Sequence, residues 1–268
     1  MRYRDRYEGF FPRLTPVVKY LVIINSGIFL IQLLLRPRWS VSLGLAPALF
    51  WRGYVWQPVT YMFLHGGVFH VFFNMIVLWM FGSTLESTWG PRRFLKFYFI
   101  CGIGAGLLNA VVTPESMVPT IGASGAIYGL LMAFGILFPE RLIYIWGIFP
   151  VKAKYFVIGI GVLELVTAMS ATQSGIAHFV HLGGMLFGLV YMKWSDWQRS
   201  VSRWQGEKKR ERYLRVVWDR DRAKQKLRKE IDDLLDKAGR YGIDSLSAKE
   251  HERFNELSER LRELESKE

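Results

Sequence analysis

Six apolar runs divide the first two thirds of the chain, near residues 17–35, 68–85, 94–112, 124–138, 155–169 and 176–194, each separated from the next by Gly, Pro or charge. Runs of this kind leave few solutions to a folding chain. Inside a bilayer every backbone N–H and C=O needs an internal partner, and an α-helix supplies them all within one segment. The expected fold class is therefore all-α: a polytopic membrane protein with a six-helix bundle.

The cations between the runs set an orientation. Arg2, Arg4, Arg6, Arg13 and Lys19 lie at or before the start of the first run, Arg92, Arg93 and Lys96 between the second and third, and Arg141, Lys152 and Lys154 between the fourth and fifth, whereas 113–123 and 170–175 carry no Lys or Arg. Cationic loops stay on the cytoplasmic side, so the alternation predicts a multi-pass protein of the cell membrane with both termini cytoplasmic. Arg36, Arg38 and Arg52, between the first two runs, stand against the scheme and are accommodated at helix ends or in a folded outer loop. The first run starts late, is long enough to span and is not followed by an Ala-x-Ala type site, so it is expected to remain as an anchor. The single Cys101 excludes an intrachain disulfide and a cysteine-rich metal site.

The chain is 51% hydrophobic and 22% charged, and these populations segregate along it. Three parts follow: a cytoplasmic segment 1–16, a membrane domain 17–194 and a charged cytoplasmic tail 195–268. The tail holds 20 basic and 17 acidic residues, which is +3 of the formal +12, leaving +9 to the membrane part. Lys208, Lys209 and Arg210 are followed by Leu227, Ile231 and Leu234 at helical spacing. Gly239 and Gly242 mark a turn, Ser247-x-x-Glu250 reads as a capping box, and Phe254, Leu257, Leu261 and Leu264 form a second stripe. This pattern predicts a helical hairpin, with an anionic lipid surface or a protein as its possible partner and a solvated helix pair as the plain alternative. Nucleic acid is not expected, since membrane orientation accounts for most of the positive charge.

Polar side chains within membrane helices are costly and mark function or helix-to-helix bonding. With the N terminus inside, the second, fourth and sixth helices all run inward, which brings His70, Asn74, Ser124, His178 and His181 toward their outer ends. His70 and Asn74, four residues apart, share one helix face and both donate hydrogen bonds, which suits an oxyanion. Ser124 opens the fourth helix, where free backbone N–H groups and the positive end of the dipole favour developing negative charge. That run is short: about fifteen residues at roughly 1.5 Å each cover about 22 Å of a hydrocarbon core of about 30 Å. Ser124 is thus expected below the membrane surface, reached by an inward-dipping loop 118–122 beside a water-filled cavity. A serine needs a base, and either His178 or His181, one helical turn apart, has the spacing for it. Gly125 with Gly129, and Gly184 with Gly188, are small-residue pairs able to bring the two helices into backbone contact.

Taken in order, His70-x-x-x-Asn74, Gly82-x-x-x-Glu86-x-x-x-Gly90, Gly122-x-Ser124-Gly125 and His181-x-x-Gly184-x-x-x-Gly188 resemble the rhomboid family of intramembrane serine proteases, over roughly residues 17–194. The resemblance implies a Ser124–His181 dyad, because the family's base precedes the two packing glycines by three and seven residues; His178 is then supporting or structural. It also implies an oxyanion site from His70, Asn74 and the Ser124 backbone, and a Tyr128 ring stacked on the histidine. The substrates it implies are membrane-spanning proteins cut near the outer face. No cofactor or metal is expected. Glu164, inside the fifth helix, has the position to orient a histidine but is read as a protonated acid bonded to a neighbouring helix and is left outside the site, and Glu86 as a brace for the loop before Gly90. Many rhomboids carry Trp-Arg in the outer loop where this chain has Trp56-Gln57. Two other classes remain open: a catalytically silent rhomboid-like protein that grips membrane clients, and a metal-dependent protein using His65, His70, His178 and His181, although no HExxH motif is present.

Overall fold

A computed structural model of the chain describes residues 12–35, 42–145, 147–170 and 175–266. Arg2, Arg4, Arg6, Arg36 and Arg38 lie outside the described residues. Every apolar run forms a helix. The first is α1 (Pro16–Leu35), and two short helices follow, α2 (Pro47–Phe50) and α3 (Gln57–Thr60). The second run is α4 (Val68–Val77), continued by a π-helical turn over Leu78–Gly82 into α5 (Ser83–Trp89). Then come α6 (Pro91–Val112), α7 (Ser124–Leu137), α8 (Ala153–Ser170), α9 (Gly175–Tyr241) and α10 (Ala248–Glu265). Among the described residues, the segments Pro16–Leu34, Val68–Trp89 and Pro91–Val112 are long and apolar enough to cross a membrane, and Ser124–Leu137 is a shorter apolar helix.

One element departs from the all-α expectation. Leu142–Ile145 and Phe149–Lys152 pair as an antiparallel hairpin (β1 and β2) between α7 and α8. Its strands hold Ile143, Tyr144, Ile145 and Val151, whose side chains favour a pleated surface, and Gly147 takes the positive φ (+71°) of the reversal. Glu140 bonds Lys152 and Lys154 at 2.8 and 2.5 Å at the base of the hairpin. Those two cations pull its carboxyl down to about 2. The group is exposed, so the pair orders the loop more than it stabilises the fold.

Glu86 has a different role from the one its position suggests. Its carboxylate accepts the backbone N–H groups of Val17 and Val18, both at 3.0 Å, and the Thr15 hydroxyl. It therefore caps the first turn of α1, where orphan N–H groups and the helix dipole favour an anion. The loop before Gly90 needs only the Glu86 carbonyl, which accepts from Gly90 N at 2.8 Å. Gly90 leaves α5 at φ +81° and Pro91 opens α6, a reversal that a residue with a Cβ would strain.

The segment between α1 and α4 is a folded layer laid over the loop that precedes α7. Leu45 and Thr120 exchange backbone bonds of 2.9 and 2.8 Å, and Ala48 N bonds Ser116 O at 3.0 Å. The Trp51 indole N–H donates to Ala110 O at 2.9 Å, and the Tyr61 hydroxyl to Gly102 O at 2.6 Å. Tyr61 O in turn receives Gly122 N at 2.9 Å, which ties the chain just ahead of Ser124 to the buried core. That core contains Tyr61, Leu78, Phe94, Phe97, Tyr98 and Leu130, all fully enclosed.

The chain divides into two compact units, Met1–Ser195 and Asp196–Glu268, within α9. In the second unit α9 runs to Tyr241 and the chain reverses at Gly242 (φ +86°), while Gly239 stays helical and makes no turn. Leu257 is enclosed, and Arg228–Glu265, Glu230–Arg253 and Lys237–Glu250 pair across α9 and α10 at 2.8, 3.0 and 2.7 Å. Ser247 and Glu250 form a full capping box at the start of α10. Replacing Ser247 with alanine is expected to cost the hairpin about 1 kcal/mol, seen in the intact protein as faster amide exchange across α10 with exchange in residues 68–137 unchanged.

Candidate active site

Ser124 is the first residue of α7, a position set by the loop before it: Gly122 sits at φ +128°, a conformation open to glycine, and turns the chain into the helix. The Ser124 hydroxyl lies 2.9 Å from His181 Nε2, across two helices whose sequence positions differ by 57. Close helix contact allows this. A Cβ placed on Gly184 would fall 1.9 Å from Gly125 O, and one on Gly188 would fall 2.9 Å from Gly129 O. The two small-residue pairs thus face each other one to one, and the backbones approach closely enough for a short serine to touch a histidine.

Tyr128, one turn after Ser124, stacks flat on His181, with ring centroids 4.1 Å apart and planes within 6°. The stack restricts rotation of the imidazole about its own bonds.

His70 and Asn74 come from α4 and approach Gly122, two residues before the serine. A Cβ on Gly122 would meet His70 Nε2 at 2.8 Å and Asn74 Nδ2 at 3.7 Å, so both nitrogens border the space beside that residue. Gly66 N donates to His70 Nδ1 at 3.3 Å, which leaves the ring proton on Nε2, the nitrogen turned toward Gly122. Asn74 Nδ2 is buried and makes no hydrogen bond among the described residues. Two side-chain nitrogens thus border Gly122, two residues before the serine that opens α7.

A model of the rhomboid domain matches residues 52–195, a little over half of the chain. The chain belongs to the rhomboid family. Among its relatives, rhomboid-like protease 5 of Toxoplasma gondii is 32% identical over 191 residues, which is 68% of this chain and 21% of that protein. The putative rhomboid protease YdcA of Bacillus subtilis (strain 168) is 31% identical over 199 residues, 69% of this chain and 92% of that protein. Rhomboid protein 1, mitochondrial, of Saccharomyces cerevisiae is 32% identical over 161 residues, 58% of this chain and 44% of that protein. The chain spans less than half the length of its parasite, plant and yeast relatives. A family of unknown function (DUF6576) matches residues 220–260, within the second unit.

In this rhomboid, the membrane-protein character of the family and the apolar helices agree, and side chains from three separate sequence motifs lie at or beside the turn that opens α7, while the Gly82–Gly90 motif serves the start of α1. What the sequence reading left out is Glu164. It lies on α8, 7% exposed, and both of its carboxylate oxygens turn toward the histidines: Oε2 is 2.5 Å from His178 Nδ1 and Oε1 is 3.0 Å from His181 Nδ1. The Tyr128 hydroxyl also donates to Oε1. The sequence signal was available, an acid within an apolar run, but its partners lie 14 to 36 residues away. Glu164, His178 and His181 also have the composition of a divalent-metal ligand set, with ligating atoms within 4.8 Å of one another. His65 and His70 are not in that group; their rings meet edge to face at 5.1 Å near the start of α4, so the four histidines do not assemble as one metal site.

Proposed function

We propose that this chain is an intramembrane serine endopeptidase with six membrane-spanning helices and both termini in the cytoplasm. The reading rests on one observation above all, the 2.9 Å contact between Ser124 Oγ and His181 Nε2. Ser124 attacks the carbonyl carbon of the scissile peptide bond while His181 Nε2 takes its proton. The negative charge that develops on the carbonyl oxygen is received by His70 Nε2–H, the Asn74 amide and the Ser124 backbone N–H. His181 then returns the proton to the leaving amine, and water hydrolyses the acyl-enzyme by the same route.

The substrates are membrane-spanning proteins cut toward the outer face of the cell membrane, where α7 begins. A helix of 14 residues reaches about 21 Å, so a serine at its first residue lies below the surface and is met by a substrate segment that has locally unwound. The layer formed by residues 42–63 covers this end of the bundle.

The test is labelling of the purified, detergent-solubilised full chain by a serine-reactive fluorophosphonate, alongside cleavage of a generic transmembrane reporter. Wild type is expected to label and cleave, and Ser124→Ala and His181→Ala to do neither. A folded wild type that neither labels nor cleaves would instead make the chain a client-binding rhomboid, and cleavage that survives Ser124→Ala would end the serine mechanism. In the same assay, Asn74→Ala is expected to lower kcat by roughly 10²- to 10³-fold, the effect of removing one preorganised oxyanion donor. A change in KM alone would place Asn74 in substrate binding instead.

A further inference from the structure

We propose that Glu164 is a positioning residue that converts the serine–histidine pair into a Ser124–His181–Glu164 triad, with His178 and Tyr128 holding the carboxylate in place. This rests on the hydrolytic reading above and adds a third member to it.

The geometry points to it from the histidine's side. His181 presents Nε2 to Ser124, so its other nitrogen decides what the ring can do. If Nδ1 carries the proton, Nε2 has a free lone pair and accepts the serine proton; if Nε2 carries it, the ring is a donor and cannot act as a base. His181 Nδ1 is buried, and the polar atom facing it is Glu164 Oε1 at 3.0 Å. The carboxylate is off the line of the Nδ1–H bond, and it makes no well-directed hydrogen bond there in the resting structure. Contacts of this kind in unliganded sites tighten when substrate binds. A carboxylate in this position selects the Nδ1–H tautomer and stabilises the imidazolium that forms as Ser124 attacks.

The second argument comes from the carboxylate's other partners. An acid buried between membrane helices is expensive unless donors surround it. Here they come from two other helices: the Tyr128 hydroxyl from α7 to Oε1, and His178 Nδ1 from α9 to Oε2 at 2.5 Å. Tyr128 is the same residue whose ring stacks on His181. One side chain thus fixes both the plane of the base and the acid behind it. His178, placed one turn before His181 with its ring 6.2 Å away and perpendicular, holds the oxygen that His181 leaves free. Two other acids of the first unit are engaged elsewhere: Glu86 caps α1 and Glu140 bonds Lys152 and Lys154.

The discriminating variant is Glu164→Gln, which preserves shape and removes the charge. In the purified full chain, kcat for the transmembrane reporter and the rate of fluorophosphonate labelling are expected to fall together by roughly 10²- to 10⁴-fold, with KM and the thermal midpoint little changed. Glu164→Asp is expected to recover part of the loss. A purely structural bond between helices predicts the reverse, a lowered midpoint with the rate per folded molecule intact. If Glu164→Gln does not fold, the ¹⁵N shifts of His181 in the wild-type protein carry the test: the Nδ1–H tautomer is expected, and the Nε2–H tautomer overturns the proposal. A wild type active while folded Glu164→Gln is equally active overturns the triad and leaves the dyad standing, whereas an inactive wild type overturns both.

Discussion

Ser124→Ala is expected to abolish cleavage of a transmembrane reporter, a loss of at least about 10⁴-fold, with the folded protein otherwise unchanged. In the proposed mechanism, removing the hydroxyl takes away the nucleophile and leaves the proposed oxyanion donors in place, so any residual rate is expected from an attacking water held by those donors alone. His181→Ala is expected to fall to a similar level, because a serine hydroxyl without an acceptor for its proton is a poor nucleophile. The double variant should be no slower than either single one. Groups that act in one step do not add their energies, and a strictly additive loss in the double variant would mean that the two residues contribute separately. The check is reporter cleavage and fluorophosphonate labelling on all three proteins, each confirmed folded by its thermal transition. The 2.9 Å contact between the two side chains is the reason for expecting coupling.

The second large effect is structural. Gly184→Val is expected to eliminate both stability and labelling, because even the first added carbon would sit 1.9 Å from Gly125 O, a backbone atom of the turn that carries Ser124. No side-chain rotation relieves that clash, so α9 must move away from α7 and carry His181 with it. Overpacking in a tight interior costs about 1 to 3 kcal/mol when neighbours give way, and here the neighbour is the backbone. The predicted order of damage is Gly184→Ala, then Gly188→Ala, whose added carbon would lie 2.9 Å from Gly129 O, then Gly159→Ala, which meets nothing within 4 Å. Gly159→Ala is expected to be neutral or slightly stabilising, since alanine is the better helix former. Thermal midpoints and fluorophosphonate labelling of the three variants measure this order, and equal damage at all three would mean that the close α7–α9 contact is not what limits the fold.

Much of this protein is legible without coordinates. The length of each apolar run and the residues that end it determine the helices, since the requirement for internal backbone hydrogen bonding is local to each segment. The glycine spacing identifies which helices approach, and the four-residue step from His70 to Asn74 identifies a shared face, because both follow from the period of a helix. Ser247 and Glu250 announce the start of α10 in the same way.

What the sequence could not determine is which residues distant along the chain meet, and in what orientation. Glu86 caps a helix 68 residues earlier, a bond that no local pattern implies. Glu164 is the sharper case. An amphipathic helix declares its inward face by its own hydrophobic stripe, but α8 is apolar on nearly every side, so the period of its sequence leaves its rotation about the axis undetermined. Packing against α7 decided that rotation: Val157 of α8 lies against Gly135, where an added carbon would come within 2.9 Å of it. With α8 turned that way, its one acid faces Tyr128, His178 and His181. Composition and spacing determined that a serine and a histidine would be available within a membrane bundle. Only the tertiary structure, through the contact of three helices, decided that a carboxylate stands behind them.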